Sequence, residues 1–137
     1  METMEARMVK LYARNNNHVA LHAIPGHFAT SHSHINFYID MTSLKTRANE
    51  AQEVAKSLAG DYVNSTVVDT IVCMDGTEVV GAYLAQEFEK RGFRNTNLHD
   101  TIYVVTPEYN ANNQLIFRDN TIPAIKGKNV FLLLATT

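Results

Sequence analysis

The sequence predicts an α/β fold with an open parallel sheet, and three features of the chain support this. Segments 67–74, 101–106 and 130–135 are nearly continuous apolar runs, as expected for strands that are buried on both faces. The segment between the first two runs has helical periodicity, and a strand–helix–strand order favours a parallel crossover. The length of 137 residues, with 45% hydrophobic and 19% charged residues, suits one compact domain.

The first 40 residues are predicted to form strands. Residues 15–26 contain a short strand that we expect to close with a turn at Pro25. We therefore divide the chain into N-terminal strands, residues 1–40, and an α/β core, residues 41–137. A second N-terminal strand alternates in polarity and should pack through one apolar face, formed by Ile35, Phe37 and Ile39.

Residues 42–60 form the clearest predicted helix. We expect Thr42 or Ser43 to cap its start through a hydroxyl, and Gly60 to end it in a left-handed conformation. An apolar stripe steps along this helix by three and four residues, through Leu44, Ala48, Ala51, Ala55 and Leu58.

A second helix is predicted directly after the first apolar run. Asp75 and Glu78 have the spacing of a capping box, and Gly92 is placed to end the helix. Residues 107–120 then contain an asparagine-rich turn and a short apolar strand, which predicts a hairpin or flap. The buried stripe of the helix is predicted to be Val80, Leu84 and Phe88.

Composition narrows the classes of partner. The formal net charge is -2 without a basic stripe, so we expect no nucleic-acid partner. No segment approaches the roughly 18 apolar residues of a membrane helix, and the N-terminus lacks an apolar signal-peptide run. We therefore expect a cytoplasmic protein with no membrane partner. The single cysteine, Cys73, lies in an apolar run and is interpreted as a small buried hydrophobic residue.

Ligand binding is expected at the carboxyl ends of the parallel strands, as in other open α/β sheets. Residues 74–78 join such an end to a helix N-terminus, where free backbone N–H groups attract phosphate. Asp75 and Glu78 would repel a bare phosphate unless a magnesium ion lay between them. The alternative is that the two carboxylates only cap the helix.

A cluster of three histidines accompanies the second N-terminal strand. His32 and His34 are two residues apart, so on a strand they would share a face and could bind one metal ion. His27 could approach around the bend, and Asp40 is a further possible ligand. The alternative is that these histidines are solvated or hydrogen-bonded polar residues, because no established metal-binding motif accompanies them.

Four stretches of the chain resemble one enzyme family. They are SHSHINFYIDM, VDTIVCMDGTEVVGAYLAQEF, IYVVTPEYNANNQLIFRDN and KGKNVFLLLATT. In order, they resemble a hood strand, a strand with its pyrophosphate loop and helix, a flexible catalytic loop, and the approach to a phosphoribosyl-pyrophosphate motif. The family is the type I phosphoribosyltransferases, and the chain looks closest to a divergent bacterial branch of the orotate phosphoribosyltransferases.

The resemblance implies both a fold and a reaction. The fold is an open parallel sheet of the phosphoribosyltransferase type with a small N-terminal hood and a hairpin or flap. We expect its C-terminal part to be missing, because the resemblance stops within the phosphoribosyl-pyrophosphate motif. The reaction transfers phosphoribosyl from 5-phosphoribosyl 1-pyrophosphate to a pyrimidine-type base, with Mg²⁺ as cofactor, in a homodimer.

The resemblance also implies two groups of site residues. The pyrophosphate and phosphoribosyl side comprises Asp75, Gly76, Thr77, Glu78, Ala135, Thr136 and Thr137. The residues implied to contact the base, on the hood, comprise Ser31, His32, Ser33, His34 and Tyr38.

The chain departs from the family at two positions that matter for catalysis. Leu134 and Ala135 stand where two adjacent acidic residues usually hold the ribose hydroxyls. Residues 106–109, Thr-Pro-Glu-Tyr, stand where the orotate enzymes carry an arginine–lysine pair. We therefore expect weak or absent turnover. The third interpretation, beside a transferase and a metal site, is a module that binds a nucleotide or phosphosugar without turnover.

Overall fold

The computed structural model describes residues 4–29 and 33–135, which form a mixed α/β fold. A three-stranded antiparallel sheet precedes a three-stranded parallel sheet in the chain. A separate two-stranded hairpin follows the second strand of the parallel sheet and precedes its third strand in the chain. In chain order the elements are α1 (Met4–Arg7), β1 (Val9–Tyr12), β2 (Ala20–Ala29), β3 (His34–Asp40), α2 (Thr42–Thr46), α3 (Ala48–Tyr62), β4 (Thr70–Cys73), α4 (Glu78–Lys90), β5 (Tyr103–Val105), β6 (Glu108–Tyr109), β7 (Leu115–Ile116), a 3-10 helix (Asp119–Ala124) and β8 (Val130–Leu133).

The predicted parallel sheet is present, with strand order β5-β4-β8. The central strand is β4, which pairs in parallel with both neighbours, so that Ile71 lies between Val104 and Phe131. The apolar run that contains β4 is buried throughout the strand, as predicted. The parallel pairing of β4 with β5 across α4 confirms the predicted strand–helix–strand unit.

Helices α3 and α4 cover one face of this sheet. Three small side chains on α3 are completely buried: Ala51, Ala55 and Ala59. Because alanine is small, α3 and α4 can pack closely together. The predicted stripe of α4 is confirmed: Val80, Leu84 and Phe88 are all buried in the same cluster. The Phe88 ring meets the Phe131 ring edge-on, with centroids 5.9 Å apart.

The opposite face of the sheet is covered by described residues at its central strand. The hydroxyl of Thr70 donates to the backbone carbonyl of Ala124, which fastens the 3-10 helix against β4. Tyr103 on β5 and Leu132 on β8 are exposed on this face. The prediction that all three strands are buried on both faces is therefore wrong for β5 and β8, because no described element packs over these side chains.

The predicted helix 42–60 is two helices. It breaks at Arg47, whose backbone is extended between α2 and α3. Met41 is the N-cap residue and no side chain caps the helix from that position, so neither Thr42 nor Ser43 acts as the cap; just before the helix, the Asp40 carboxylate accepts the Thr42 N–H at 2.9 Å. Gly60 lies inside α3, which continues to Tyr62, so the predicted stop was also wrong.

The antiparallel sheet β1–β2–β3 forms the N-terminal strands that we call the hood. The expected turn at Pro25 is absent, since β2 runs on through a β-bulge between Pro25 and Phe28. The expected packing face is also absent: Phe37 is 54% exposed and Ile39 is 50% exposed. The side-chain amide of Asn16 ties the hood to α3 through Ser57 at 3.0 Å.

The predicted hairpin in residues 107–120 is present as β6 and β7. Asn110 organises its turn, because its side-chain oxygen accepts the backbone N–H groups of Asn112 and Gln114. Within residues 4–29 and 33–135, no helix has both the length and the apolar character that a bilayer span requires.

Candidate functional site

The loop of residues 74–78 leaves the carboxyl end of the central strand and enters α4. Asp75 (φ 58°) and Gly76 (φ 76°) both have left-handed backbones. Glycine adopts this conformation freely and aspartate tolerates it better than most residues. The Thr77 N–H closes the turn by donating to the Met74 carbonyl at 3.2 Å. Two successive left-handed residues turn the chain sharply at the strand end.

The predicted capping box between Asp75 and Glu78 does not form. Thr77 occupies the N-cap position, and no side chain caps the helix there. Asp75 and Glu78 are both exposed and line the same cavity. The Asp75 carboxylate instead lies 3.4 Å from the backbone N–H of Ala135, which links this loop to the segment after β8. The two carboxylates are therefore not held by the helix end.

Thr77 has a different environment from its neighbours in the loop. Its side chain is buried, its hydroxyl donates to the Met74 carbonyl at 2.7 Å, and the same oxygen lies 3.3 Å from the Leu133 carbonyl. Thr77 thus joins β4, α4 and β8, and its hydroxyl is engaged within the fold.

A lysine that the sequence analysis did not select also reaches the loop. Lys45, on α2, donates from Nζ to the Asp75 carbonyl at 3.0 Å. A Cβ placed on Gly76 would lie 3.8 Å from the same nitrogen, so the ammonium sits against the crest of the turn. Its 30-residue separation from Asp75 explains why no local pattern marked it.

A cavity of about 270 Å³ lies at this edge, between the loop and the start of the hairpin. Cys73 lines it, and burial, with a smaller contribution from the Glu78 charge and against a lowering by the Thr77 hydrogen bond, raises the pKa of the thiol to about 11. The cysteine is buried, as predicted, and holds its proton at neutral pH. The lining residues are Cys73, Met74, Asp75, Gly76, Glu78, Thr106, Pro107 and Tyr109.

No cationic side chain is among the described residues that line the wall opposite the loop. Thr106, Pro107 and Tyr109 form it, and Tyr109 is 61% exposed. Glu108 is paired with Arg118, whose Nη2 and Nε lie 2.6 and 2.7 Å from Oε1. That pairing raises the pKa of Arg118 and braces the base of the hairpin.

A second cavity of about 200 Å³ lies on the other side of the loop. It is mostly apolar, and Leu134 and Ala135 border it beside Lys45 and Thr77. No carboxylate is among its lining residues within the described part of the chain. Thr136 and Thr137, which were expected to continue this side, lie outside the described residues.

Of the hood residues selected from the sequence, Ser33, His34 and Tyr38 line neither cavity. Ser31 and His32 lie outside the described residues. Ser33 and His34 are exposed, and His34 meets His27, with 2.8 Å between ring nitrogens. Tyr38 packs its ring on Phe28, with centroids 5.6 Å apart.

The side chains that could bind a metal ion are not grouped in the described part of the chain. Among residues 4–29 and 33–135, no group of three or more histidine, cysteine, aspartate or glutamate side chains could hold one ion. Asp40, considered above as a ligand, is occupied with Thr42, and hydrogen bonds from the Thr42 hydroxyl and N–H lower the pKa of its carboxyl group.

A buried carboxylate that the sequence analysis passed over holds the opposite end of the sheet. Asp69 is fully buried and accepts hydrogen bonds from the N–H and hydroxyl of Thr96. It also accepts the backbone and side-chain N–H groups of Asn129 at 2.8 and 2.9 Å. Burial raises its pKa, but these four donors outweigh burial and lower the pKa to about 2. Asp69 therefore fixes the loops that precede β5 and β8 and aligns the strands whose far ends form the cavities.

Comparison with family models, curated proteins and solved structures finds no match to this chain.

Proposed function

We propose that this protein is a phosphoribosyltransferase-like protein of the orotate type, which binds a phosphorylated ribose or nucleotide at the loop of residues 74–78. The observation that carries the proposal is the loop itself. It combines a left-handed turn at the end of the central parallel strand, two exposed carboxylates and a lysine ammonium, beside a cavity of about 270 Å³. Ligands of open parallel sheets bind at such strand ends.

Charge at the loop favours a ligand that arrives with a divalent cation. A carboxylate and a phosphate 4 Å apart repel by about 4 kcal/mol at an effective dielectric constant of 20. Asp75 and Glu78 would impose this cost on a bare diphosphate, and Lys45 offsets only part of it. Mg²⁺ uses one or two carboxylates together with phosphate oxygens and water. The exposed oxygen donors of Asp75 and Glu78 therefore fit Mg²⁺, which when bound would neutralise the diphosphate charge.

The residues of the chain would then act by positioning. In the family reaction, the C1–O bond to pyrophosphate breaks as a base nitrogen bonds to C1, and holding the two reactants in line supplies much of the rate. The Gly76 turn lets a phosphate approach the backbone closely, and Lys45 adds positive charge at that point. Pro107 and Tyr109 close the other side of the cavity and would exclude water from it.

A second candidate, a binding module without turnover, is favoured by the second cavity. Leu134 and Ala135 border it where the family's acidic pair would hold the ribose hydroxyls, and its described lining contains no carboxylate. Without those acceptors, a phosphosugar would bind with its ribose poorly oriented for displacement. Binding through the Asp75 loop would survive this loss, whereas transfer would be slow or absent.

Calorimetric titration with 5-phosphoribosyl 1-pyrophosphate, inorganic pyrophosphate and orotidine monophosphate, with and without Mg²⁺, tests the proposal. We expect magnesium-dependent binding that weakens at least 10-fold in the Asp75→Asn/Glu78→Gln variant. Asparagine keeps the left-handed turn, so this variant removes charge while preserving the backbone. Asp61→Asn, an exposed carboxylate at the end of α3, is the matched control and should bind as the unmodified protein does.

Orotate-dependent release of pyrophosphate separates the two candidates. Release that the Asp75→Asn/Glu78→Gln variant abolishes would support a transferase. Binding without release would support the binding module. If none of the three ligands binds with or without Mg²⁺, both candidates are wrong.

A further inference from the structure

The hood brings two imidazole rings together, away from the cavities. Nε2 of His27 lies 2.8 Å from Nδ1 of His34, and the ring centroids are 5.0 Å apart at an interplanar angle of 45°. Both side chains are exposed. In such a pair one nitrogen donates its proton and the other accepts it. Both nitrogens can bind a metal ion once each ring is neutral and the donor ring carries its proton on its other nitrogen.

The β-bulge in β2 creates this encounter. Pro25 pairs with Phe37, but Phe28 pairs with Ile35 and Ala29 with His34, so β2 contains one residue more than β3 across this interval. In an unbulged ladder, His27 would lie opposite Ile35 and on the other face from His34. The extra residue moves His27 to the face of His34, at a diagonal position within side-chain reach.

The two nitrogens are already close to the separation that a shared metal ion requires. With a metal–nitrogen distance of about 2.0 Å, two ligands at a tetrahedral angle are about 3.3 Å apart, whereas two adjacent ligands of a square plane are about 2.8 Å apart. In the metal-free protein, the 2.8 Å separation is the length of the hydrogen bond between the two rings, and a change of about 0.5 Å or less brings the nitrogens to either geometry. Tetragonal nitrogen sites are those of Cu²⁺ and Ni²⁺, and Cu²⁺ has the highest affinity of the divalent first-row ions.

We propose that His27 and His34 form a bidentate site for a tetragonal transition-metal ion, foremost Cu²⁺, with water in the remaining positions. The two rings need only small rotations to direct both lone pairs at one ion, and their exposure leaves room for this. The site is independent of the Mg²⁺ expected at the Asp75 loop, because imidazole selects copper, nickel or zinc while magnesium prefers oxygen.

Titration of the untagged full chain with CuCl₂ in a non-coordinating buffer tests the site, followed by calorimetry and electron paramagnetic resonance. We expect one ion per chain, a spectrum split by two nitrogen ligands, and binding that is tighter for Cu²⁺ than for Zn²⁺. His27→Ala and His34→Ala should each weaken binding at least 10-fold. His99→Ala is the matched control, since His99 is also exposed and bonded through its ring, to Tyr103 at 2.9 Å, and it should leave binding unchanged.

Two results would overturn the proposal. One is unchanged copper affinity in His27→Ala, and the other is a spectrum of the unmodified protein with fewer than two nitrogen ligands. The spectrum needs no variant, so it remains decisive if a substitution disturbs folding. Phosphosugar binding in His27→Ala should be unaffected, which keeps this site separate from the proposed function.

Discussion

Substituting Gly81 with alanine should destabilise the protein through a single bad contact. A Cβ at this position would lie 2.3 Å from Cys73 Sγ, whereas non-bonded heavy atoms normally keep about 3.5–4.0 Å. Its other neighbours would be at ordinary distances: Val104 Cγ1 at 3.4 Å and Ile71 Cγ2 at 3.7 Å. Gly81 therefore allows α4 to pack directly on the sulfur of β4.

The expected cost follows from two opposing effects. Overpacking a buried site costs about 1–3 kcal/mol. The new Cβ would overlap the sulfur by more than about 1 Å, which places the cost of Gly81→Ala at the upper end of this range. Alanine in place of glycine within a helix returns about 1 kcal/mol. We expect a net loss of about 2 kcal/mol in the free energy of unfolding.

Urea denaturation measures this loss as a lower midpoint with an unchanged slope. Gly60→Ala is the matched control: it also lies within a helix, but its new Cβ would meet only the flexible end of Arg91 at 3.4 Å. That variant should be stabilised by up to about 1 kcal/mol. The double variant Cys73→Ala/Gly81→Ala should lose less free energy of unfolding than the sum of the losses in the two single variants, because the sulfur that the new Cβ would contact is gone. A Gly81→Ala protein as stable as the unmodified one would refute the close contact.

Two further predictions concern buried ionisable groups. Because the folded pKa of Asp69 is lowered to about 2, its ionised form stabilises the fold fully above about pH 4, and this contribution of about 2 kcal/mol should be lost as the pH falls from about 4 to about 2. Denaturation of Asp69→Asn across this range should show a lower stability at pH 7 and a weaker dependence on pH, and an unchanged acid dependence would contradict the role given to Asp69. Because the pKa of Cys73 is raised to about 11, the folded protein should react with a thiol reagent at pH 8 far more slowly than the urea-unfolded protein, and stability should decline as the pH rises from about 9 to about 11. Equal rates of reaction in the folded and unfolded states would show that the thiol is accessible.

The predictions that succeeded depend on periodicity within single segments. The α4 stripe of Val80, Leu84 and Phe88, the parallel pairing of the strands on either side of α4, and the hairpin turn at Asn110 follow from local patterns of apolar and turn residues. Such patterns specify which side of an element is apolar. They do not specify whether another element covers it, and this is why the exposure of Phe37, Ile39 and Leu132 was missed.

The candidate site divides in the same way. Asp75, Gly76 and Glu78 could be selected because a strand end followed by a helix start is visible in consecutive residues. The remaining features depend on residues far apart in the chain: Lys45 reaches Asp75 across 30 positions, Asp69 gathers Thr96 and Asn129, and the bulge turns His27 toward His34.

Local sequence patterns therefore indicated the main elements of the α/β core, the buried central strand and the strand-to-helix loop that follows it. Which strands lie at the sheet edges, which cation approaches the loop and which histidines meet were settled by packing. The physical reason is that backbone propensity and periodicity act over a few residues, whereas these contacts depend on the register of strands and the docking of helices. A one-residue change in register moves a side chain to the opposite face of a sheet. For His27, the extra residue of the bulge places its ring against that of His34.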